Sequence, residues 1–418
     1  MFVSKKLSTS ILGNMLEWYD FGLFAIFAPI FSQIFFVSND EHMALMSTFA
    51  VFAVGFFCRP LGALFFGYIG DKYGRLYSLK LSVLMIALPT LLLSILPSYA
   101  SIGRLAPIAL IIARMWQGFS IGGEYGGNLI YLAENAPKKH RGLVTALASM
   151  GANAGILCAS LMGIILSKFL SPSYLYAWGW RIAYLACALL CLVIYVKRCQ
   201  LKEQQQKLLQ AIGRPHNPFD HLFNLNRHLL LRTIGMVCMG TSFYYFSFTY
   251  LPVFLTAQTN ITQQCIAYFM AACMFCMLLL LPFSGWISDQ FGRRKALLTA
   301  AALISILVIP GFYILQSSGL TGLVISLALF TFISSLEQGS TVITAIENFP
   351  RHIRYTGIAF GYNIGNGLVG GTLPLVCEWL RVQTHFALAP AVYVAIFAVL
   401  SGVIIYFFVP ETAYEPLA

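Results

Sequence analysis

Charged side chains are the feature that this sequence has least of. Only 10% of its 418 residues are Asp, Glu, Lys or Arg, whereas an ordinary soluble domain carries about 25%. Hydrophobic residues make up 59% of the chain, and its mean hydropathy is +0.77. A soluble core of this length could not hide so many apolar side chains, so the solvent around this protein is lipid.

Motifs that would indicate an enzyme, an ATP-driven pump or a metal protein are also missing. The sequence shows no nucleotide-binding motif and no cluster of nucleophile and base. Cys273 and Cys276 form a C-x-x-C pair without a second pair or a histidine, so we expect neither a metal nor any other cofactor. The net charge of +11 is dispersed between apolar segments, and we expect no nucleic-acid partner.

Long apolar segments are abundant. A membrane-spanning helix needs about 20 apolar residues, and twelve segments meet this requirement. They cover residues 11–37, 43–69, 78–96, 107–133, 143–167, 178–196, 233–256, 264–287, 297–315, 320–346, 357–378 and 386–409. This predicts an all-α protein in a lipid bilayer, with an N-terminal six-helix half (1–196), a polar cytoplasmic linker (197–232) and a C-terminal six-helix half (233–418).

The basic residues predict how these helices are oriented. With the amino terminus in the cytoplasm, 20 of the 26 Lys and Arg residues fall on the cytoplasmic side, as the positive-inside rule requires. We therefore expect both termini in the cytoplasm. Lys80, near the cytoplasmic start of the third span, is counted among these 20, and Arg59, Arg114 and Arg181 lie within other spans or at span ends.

Three patterns occur once in each half. They are Gly67-x-x-x-Asp71-Lys72-x-Gly74-Arg75 with Gly285-x-x-x-Asp289-x-x-Gly292-Arg293, Glu134-x-x-Pro137-x-x-x-Arg141 with Glu347-x-x-Pro350-x-x-x-Arg354, and Gly151-x-Asn153-x-Gly155 with Gly361-x-Asn363-x-Gly365. Parallel repeats of six helices are a known transporter plan. Channels and membrane enzymes give no reason for this symmetry.

The first pattern resembles the signature of the loop between spans two and three in the major facilitator superfamily. Four further motifs resemble the metabolite:proton symporter family within it. They are Gly13-Asn14-Met-Leu-Glu17-Trp18-Tyr19-Asp20-Phe21, Arg59-Pro60-Leu-Gly62, Arg114-x-x-Gln117-Gly118 with Gly122-Gly123-Glu124-Tyr-Gly126-Gly127, and Trp178-Gly-Trp180-Arg181. This resemblance implies a twelve-helix secondary transporter in a bacterial-type inner membrane. It also implies a small cargo such as proline, betaine, citrate, α-ketoglutarate or shikimate, driven by the proton gradient.

Two departures from that family change what we expect. Ala183 follows the tryptophan motif where the family usually has Pro. The chain stops at Ala418 without the long coiled coil of the osmosensory members, which lowers the expectation of osmotic regulation without deciding it.

Glu17 and Asp20 are the first candidates for proton and substrate binding. They are three residues apart in the first span, on one helical face, and Asn14 and Tyr19 accompany them. Two acids this close cannot both ionise comfortably in a medium of low dielectric, so one of them is a candidate proton carrier. Alternatively, both acids form fixed structural bridges with arginines.

Arg59 and Arg114 are the basic candidates, and Gln117 lies one turn after Arg114. A guanidinium within the bilayer has to face a carboxylate or a watery cavity. We expect Arg114 to face Glu17 or Asp20 across a cavity and to bind an anionic group once the acid is protonated. Alternatively, Arg114 only ties spans one and four together.

Glu124 and Glu337 occupy equivalent positions in the two halves, each ten residues before the repeated Glu134 or Glu347. An acid within a span needs a reason to be there, and both are candidates for proton coupling or for binding a cationic group. Polar candidates for hydrogen bonds to the substrate are Asn153, Asn363 and Tyr244. Aromatic residues within a span are more often core or lipid-facing.

The duplicated charged patterns are candidate parts of a cytoplasmic gate. An Asp at the membrane surface can accept hydrogen bonds from the amino-terminal amides of a neighbouring helix, and an Arg can reach Glu134 or Glu347. The predicted gate residues are Asp71, Lys72, Gly74, Arg75, Asp289, Gly292, Arg293, Glu134, Glu347, Arg141 and Arg354. Such contacts would break when the two halves rock apart. Alternatively, the charges only set the topology.

These features together predict a monomeric secondary transporter that moves a small polar metabolite inward with protons by alternating access. A facilitator or exporter would share every feature, and a transport-dead sensor is a further alternative. Buried arginines favour a carboxylate in the cargo and buried acids favour a cation, so a zwitterion satisfies both. An organic acid remains an alternative at this point.

Overall fold

The structure is a computed structural model that describes residues 2–36, 41–201, 222, 226–258, 263–413, 415 and 417. In these ranges twelve long helices follow one another. They are α1 (Phe2–Phe35), α2 (Glu41–Tyr73), α3 (Arg75–Ser94), α4 (Leu105–Asn135), α5 (Arg141–Phe169), α6 (Trp180–Cys199), α7 (Arg227–Tyr245), α8 (Gln263–Phe291), α9 (Arg293–Ser317), α10 (Gly319–Asn348), α11 (Arg354–Gly365) and α12 (Ala389–Phe408). Most of the predicted linker lies outside the described residues.

Three helices are extended through a turn of π-helix. Leu175–Gly179 leads into α6, Phe246–Tyr250 continues α7 into Leu251–Gln258, and Asn366–Gly370 continues α11 toward Leu373–Thr384. A π-turn inserts an extra residue into the helical repeat, and such turns are frequent at functional sites.

Length and composition fit a membrane protein. Among the described residues, ten helical stretches are long and apolar enough to cross a bilayer. Large apolar side chains are exposed along them, for example Ile182, Leu185 and Leu189 of α6. Helices satisfy every internal backbone group within their own segment, which lipid requires.

Gly74 and Gly292 explain the glycine in the duplicated charged pattern. Gly74 separates α2 from α3 with φ 117°, and Gly292 separates α8 from α9 with φ 101°. Both values lie in the left-handed region that only glycine enters at low cost. The chain therefore reverses between two helices with a single residue.

Small residues let α2 and α4 touch backbone to backbone. A Cβ on Gly118 would overlap the backbone of Gly55, and a Cβ on Gly62 would overlap the backbone of Phe119. Glycines at such spacing permit close helix packing in a membrane. This packing brings Arg59 of α2 and Arg114 of α4 into the same interior.

The chain divides into two compact units. The first comprises residues 1–131 and 151–219, and the second comprises residues 132–150 and 220–418. In the first unit Trp180 is fully buried, with the rings of Phe31 and Phe35 at 5.2 and 5.7 Å.

The core of the second unit is built around aromatic side chains of α7, its π-turn, α9 and α10. Phe243 lies 5.4 Å from Phe330, and Phe246 lies 5.4 Å from Phe312. Rings at such distances pack edge to face and add to the energy of burial. This core fixes the positions of α7 and α10, the two helices that meet at Glu337.

Candidate transport site

Asp20 and Arg114 face each other inside the first unit. The Nη1 atom of Arg114 lies 3.6 Å from Oδ2 of Asp20, and it donates a hydrogen bond of 2.8 Å to Oε1 of Gln117. Gln117 donates from Nε2 to Oδ1 of Asp20 at 2.9 Å and to the Thr90 hydroxyl at 3.0 Å. The structure thus joins α1, α3 and α4 through one charged pair and two neutral side chains.

The contact between Asp20 and Arg114 is an ion pair but not a hydrogen bond. A hydrogen bond between these groups would measure about 2.7–2.9 Å, and Oδ2 of Asp20 accepts none from the described residues. The rings of Phe21 and Phe24 lie 4.5 and 4.4 Å from Cζ of Arg114. The guanidinium of Arg114 therefore contacts Gln117 through a hydrogen bond, two aromatic rings, and a carboxylate that lies beyond hydrogen-bond distance.

Arg59 lies among aromatic rings. Its Cζ atom is 4.3 Å from the rings of both Phe21 and Phe56, and 5.6 Å from the ring of Trp18. Cation–π contacts of this kind become stronger when water is excluded. Arg59 is also the basic group whose charge acts most strongly on Glu17, and neither carboxylate oxygen of Glu17 accepts a hydrogen bond from the described residues.

Glu124 is held by Arg198, a residue that sequence reasoning assigned to the polar linker. The guanidinium of Arg198 contacts both carboxylate oxygens, at 2.5 Å for Oε1 and 3.0 Å for Oε2. It also donates to the Leu79 carbonyl at 2.6 Å and to Oδ1 of Asn128 at 2.9 Å. The Ser82 hydroxyl donates to the same carboxylate. Glu124 is thus fully paired.

The glycine of the first family motif makes room for this cluster. A Cβ on Gly13 would overlap the Arg198 guanidinium and crowd Glu124. Asn14, the next residue, accepts a hydrogen bond of 2.9 Å from Asn128. Gly13 and Asn14, the first two residues of the motif in α1, therefore contribute to the Glu124 cluster, in addition to the acids Glu17 and Asp20 that the motif contains.

Glu337 occupies the corresponding position of the second unit but has different surroundings. The Thr341 hydroxyl, one turn later on α10, donates to its Oε1 atom. On the other side the carboxyl lies against α7 at Gly240, where a Cβ would overlap it. Repeat symmetry therefore predicts the position of this acid but not its pairing.

The neutral candidates are dispersed among several helices. Tyr19 of α1 and Asn153 of α5 are buried, and Asn363 of α11 donates to the Ala359 carbonyl at 2.8 Å. The ring of Tyr244 packs against Tyr245 and Phe248 at 5.8 and 5.1 Å. These placements do not assign a transport role to any of them.

The charged residues of the duplicated patterns form a network in the second unit. The Asp289 carboxylate accepts hydrogen bonds of 2.8 Å from the amides of both Gly142 and Leu143, at the amino terminus of α5. Arg293 contacts Asp289 at 2.8 Å and Glu347 at 3.0 Å. A carboxylate at a helix amino terminus is favourably placed in the helix dipole.

Further predicted gate residues lie around this network. Arg141 is 3.8 Å from Glu347, and Arg354 pairs with Glu134 at 2.9 Å. In the first unit Arg75, the first residue of α3, pairs with Asp71, near the end of α2, across the turn at Gly74. Lys72 is exposed, where it contacts the hydroxyl and ring of Tyr68 and the ring of Tyr73.

A short segment after α12 joins the network and was missed by sequence reasoning. Glu411 accepts hydrogen bonds from the amides of Arg293 and Arg294 at 2.8 and 3.1 Å, and so caps α9. Thr412 donates to Glu347 at 2.8 Å. An acid shortly after the last span is the only signal in the sequence that points to such a cap.

Comparison with known families decides what kind of protein carries these sites. The profile of the Major Facilitator Superfamily matches residues 10–374 and 233–417. The chain belongs to the major facilitator superfamily.

Similar proteins within the superfamily include several bacterial transporters. The glycine betaine/proline/ectoine/pipecolic acid transporter OusA of Dickeya dadantii is 32% identical, over 99% of this chain and 84% of that protein. The proline/betaine transporter of Escherichia coli K12 is 33% identical with the same coverage. The ectoine/proline transporter ProP of Corynebacterium glutamicum is 31% identical, over 99% of this chain and 85% of that protein.

Solved structures agree on the fold. The proton:xylose symporter XylE matches with a TM-score of 0.83 and 18% identity, over 100% of this chain and 98% of that one. The Escherichia coli fucose:proton symporter FucP matches with a TM-score of 0.68 and 16% identity, over 96% and 98%. The predicted major facilitator fold, twelve helices in two six-helix halves, is confirmed.

This major facilitator protein is an integral, multi-pass membrane transporter and not an enzyme. The predicted class, a secondary transporter of a small metabolite, is also confirmed. A transporter of this kind needs a site that recognises its cargo and a network that opens and closes. The paired charges of the first unit and the charge network of the second unit are the candidates for these two roles.

Proposed function

We propose that this transporter is a proton-coupled symporter that carries a small zwitterion, such as proline, betaine or ectoine, into a bacterial cell. The observation that carries the proposal is the Asp20–Arg114 pair, which presents one negative and one positive group 3.6 Å apart in the protein interior. The names of the relatives support the substrate class. We assign the protein to the inner membrane as a monomer. We place both termini in the cytoplasm because the basic residues follow the positive-inside rule.

The zwitterion inserts into the charged pair. Its carboxylate takes the place of Asp20 on Arg114, and its ammonium group takes the place of Arg114 beside Asp20. Each protein charge exchanges one partner for another, so the number of unpaired charges in the low-dielectric interior does not rise. The rings of Phe21 and Phe24 already face a cation and suit the quaternary ammonium of betaine.

An organic acid is the second candidate cargo, supported by the same arginine. An anion without a cationic group would leave Asp20 facing a second negative charge, so Asp20 would have to be protonated first. Transport of citrate or α-ketoglutarate would then fall steeply with rising pH. Transport of a zwitterion needs no proton at Asp20.

The cytoplasmic network is the proposed gate. In one state Asp289 holds the amino terminus of α5, Arg293 holds Glu347, and Arg354 holds Glu134. These contacts would separate when the transporter opens to the cytoplasm and re-form when it closes, which gives alternating access its two states. The corresponding Asp71 and Arg75 have the same proposed role.

Replacing Arg114 by Gln tests the cargo site. The variant loses the positive group, and a charge-assisted hydrogen bond contributes about 1.5–3 kcal/mol, so we expect uptake to fall at least about tenfold. Uptake of labelled proline and betaine into proteoliposomes, driven by an imposed proton gradient, measures the effect. Arg381→Gln is the matched control, because the Arg381 side chain is 26% exposed and pairs with Glu378 in the second unit.

Three outcomes would contradict the proposal. Unchanged uptake by the Arg114→Gln variant would remove Arg114 from the site. Uptake that ignores the proton gradient in the unmodified protein would indicate a facilitator or exporter. Uptake of citrate, α-ketoglutarate or shikimate in preference to every zwitterion tested would exclude the proposed substrate class.

A further inference from the structure

We propose that Glu337 binds and releases the proton that is coupled to transport. This inference depends on the proposed function, because it assumes that the cargo moves with protons. It assigns the coupling to one acid, in the second unit, and leaves Asp20 as part of the cargo site.

The buried acids of the first unit all have arginines to balance them. Asp20 faces Arg114 at 3.6 Å, and Glu124 is bound by Arg198 at 2.5 Å. Glu17 lies in the field of Arg59. Each of these acids thus has an arginine whose charge favours the ionised form.

Glu337 has no such balance. It lies in the interior of α10, which packs against α7, α8, α9 and α11. No charged or titratable side chain of the described residues of those helices faces it, and its neighbours are Thr341 and Gly240. A cation must therefore come from outside the protein, and a proton is the smallest one.

The packing of the carboxyl group favours the protonated form in this conformation. The group lies flat against the backbone of α7 at Gly240, and the amides of a helix interior are already used in its own hydrogen bonds. No donor on that side can stabilise a negative charge. The Thr341 hydroxyl can rotate, so it can donate to an ionised carboxylate or accept from a protonated one.

The exposed fraction of Glu337 is also slightly larger than that of the buried acids of the first unit. Its exposed fraction is 6%, compared with 0% for Asp20 and Glu124 and 2% for Glu17. Ser334, one turn earlier on the same face of α10, is buried, and its hydroxyl has no hydrogen-bond partner among the described residues. Ser334, Glu337 and Thr341 thus form a polar stripe along one face of α10.

The proton transfer is simple. On the side of higher proton concentration, water delivers a proton to a carboxylate oxygen of Glu337 and an O–H bond forms. The neutral group then remains packed against α7 while the loaded transporter changes state. On the other side water reaches the stripe, the O–H bond breaks, and the proton leaves as hydronium.

The test is the Glu337→Gln variant in proteoliposomes, which mimics the protonated acid and keeps its shape. We expect proton-driven accumulation of betaine to fall at least about tenfold. Exchange of labelled for unlabelled betaine at equal pH should stay within about twofold of the rate of the unmodified protein. We expect betaine affinity to weaken with rising pH in the unmodified protein and to be independent of pH in the variant between about pH 6 and about pH 9.

Two controls define the result. Glu378→Gln removes an acid of the same unit that is half-exposed and paired with Arg381, and both activities should persist. Glu337→Asp keeps an ionisable group, and we expect it to retain part of the driven accumulation that the Gln variant loses.

The outcomes are distinct. Driven accumulation by the Gln variant at the level of the unmodified protein would overturn the inference. Loss of betaine binding and exchange along with accumulation would also overturn it, since Glu337 would then be a contact for the ammonium group or a requirement for folding. Absence of driven accumulation in the unmodified protein would instead refute the proposed function.

Discussion

Two arginines of the first unit hold their acids in different ways, and the difference predicts what each pair does. Arg198 contacts both oxygens of Glu124 and two further acceptors. Arg114 stands 3.6 Å from Asp20 and directs a hydrogen bond to Gln117 instead. A bidentate, fully satisfied pair is a fixed part of the structure. A loose pair can exchange partners with a cargo.

Removing one partner of the fixed pair should destabilise the protein strongly. Arg198→Gln leaves the Glu124 charge buried without a counter-charge, which costs about 3–5 kcal/mol, and Glu124→Gln leaves Arg198 in the same position. The double variant removes both charges and should be more stable than either single variant. Thermal unfolding of the purified protein in detergent, analysed as a double-mutant cycle, measures this.

The same cycle separates structure from transport. The rate of betaine exchange per folded molecule should be similar in the double variant and the unmodified protein, because neither Arg198 nor Glu124 belongs to the proposed cargo site. Equal stability of all four proteins would show that the pair contributes nothing to the fold.

At the scale of helices, the cytoplasmic network depends on how helix ends are placed. Asp289 of α8 accepts hydrogen bonds from two backbone amides of α5, and Glu411 accepts hydrogen bonds from two backbone amides of α9. The first amides of a helix have no partner within it, and a carboxylate satisfies them while it compensates the helix dipole. Contacts between helix ends can break together when one helix moves, which a gate requires.

Asp289→Asn should slow transport without preventing insertion. An amide side chain can accept only through its single oxygen and carries no charge, so it loses one of the two α5 contacts and the pair with Arg293. The closed state would then lose about 1.5–3 kcal/mol, and we expect the initial uptake rate to fall severalfold. Uptake per molecule, with the amount in the membrane measured by immunoblot, checks this. Lys295→Gln is the control, because Lys295 is an exposed residue in the first turn of α9. An uptake rate of the Asp289→Asn variant equal to that of the unmodified protein would remove Asp289 from the gate.

At the scale of the whole molecule, the repeats made much of the fold predictable. Apolar length predicts the twelve helices, and the duplicated Gly-Arg pairs predict the sharp turns, because a chain that reverses with one residue needs glycine. Arg198 could not be predicted, since it stands next to Lys197 at the edge of a polar segment and counts as a cytoplasmic charge. Only the close approach of α1, α3, α4 and α6 turns it into the partner of Glu124.

The two units also differ in charge, and this asymmetry predicts the electrical behaviour of transport. Among the described residues, each buried acid of the first unit has an arginine near it, whereas Glu337 in the second unit has no basic side chain beside it. A zwitterion adds no net charge, so the loaded transporter with protonated Glu337 has a neutral interior. The empty transporter returns with Glu337 ionised, and one positive charge enters per cycle.

A membrane potential alone should therefore drive uptake. A potential of 100 mV, negative inside, acts on one charge with about 2.3 kcal/mol, which corresponds to about 50-fold accumulation of betaine at equal pH. A potassium diffusion potential across proteoliposomes supplies this force, and labelled betaine measures the response. The Glu337→Gln variant should show no accumulation under the same potential, because it carries no charge on the return step. Uptake by the unmodified protein that follows the pH gradient but ignores the potential would mean that a second charge compensates Glu337 during the cycle. The assignment of balanced charges to the first unit would then be wrong.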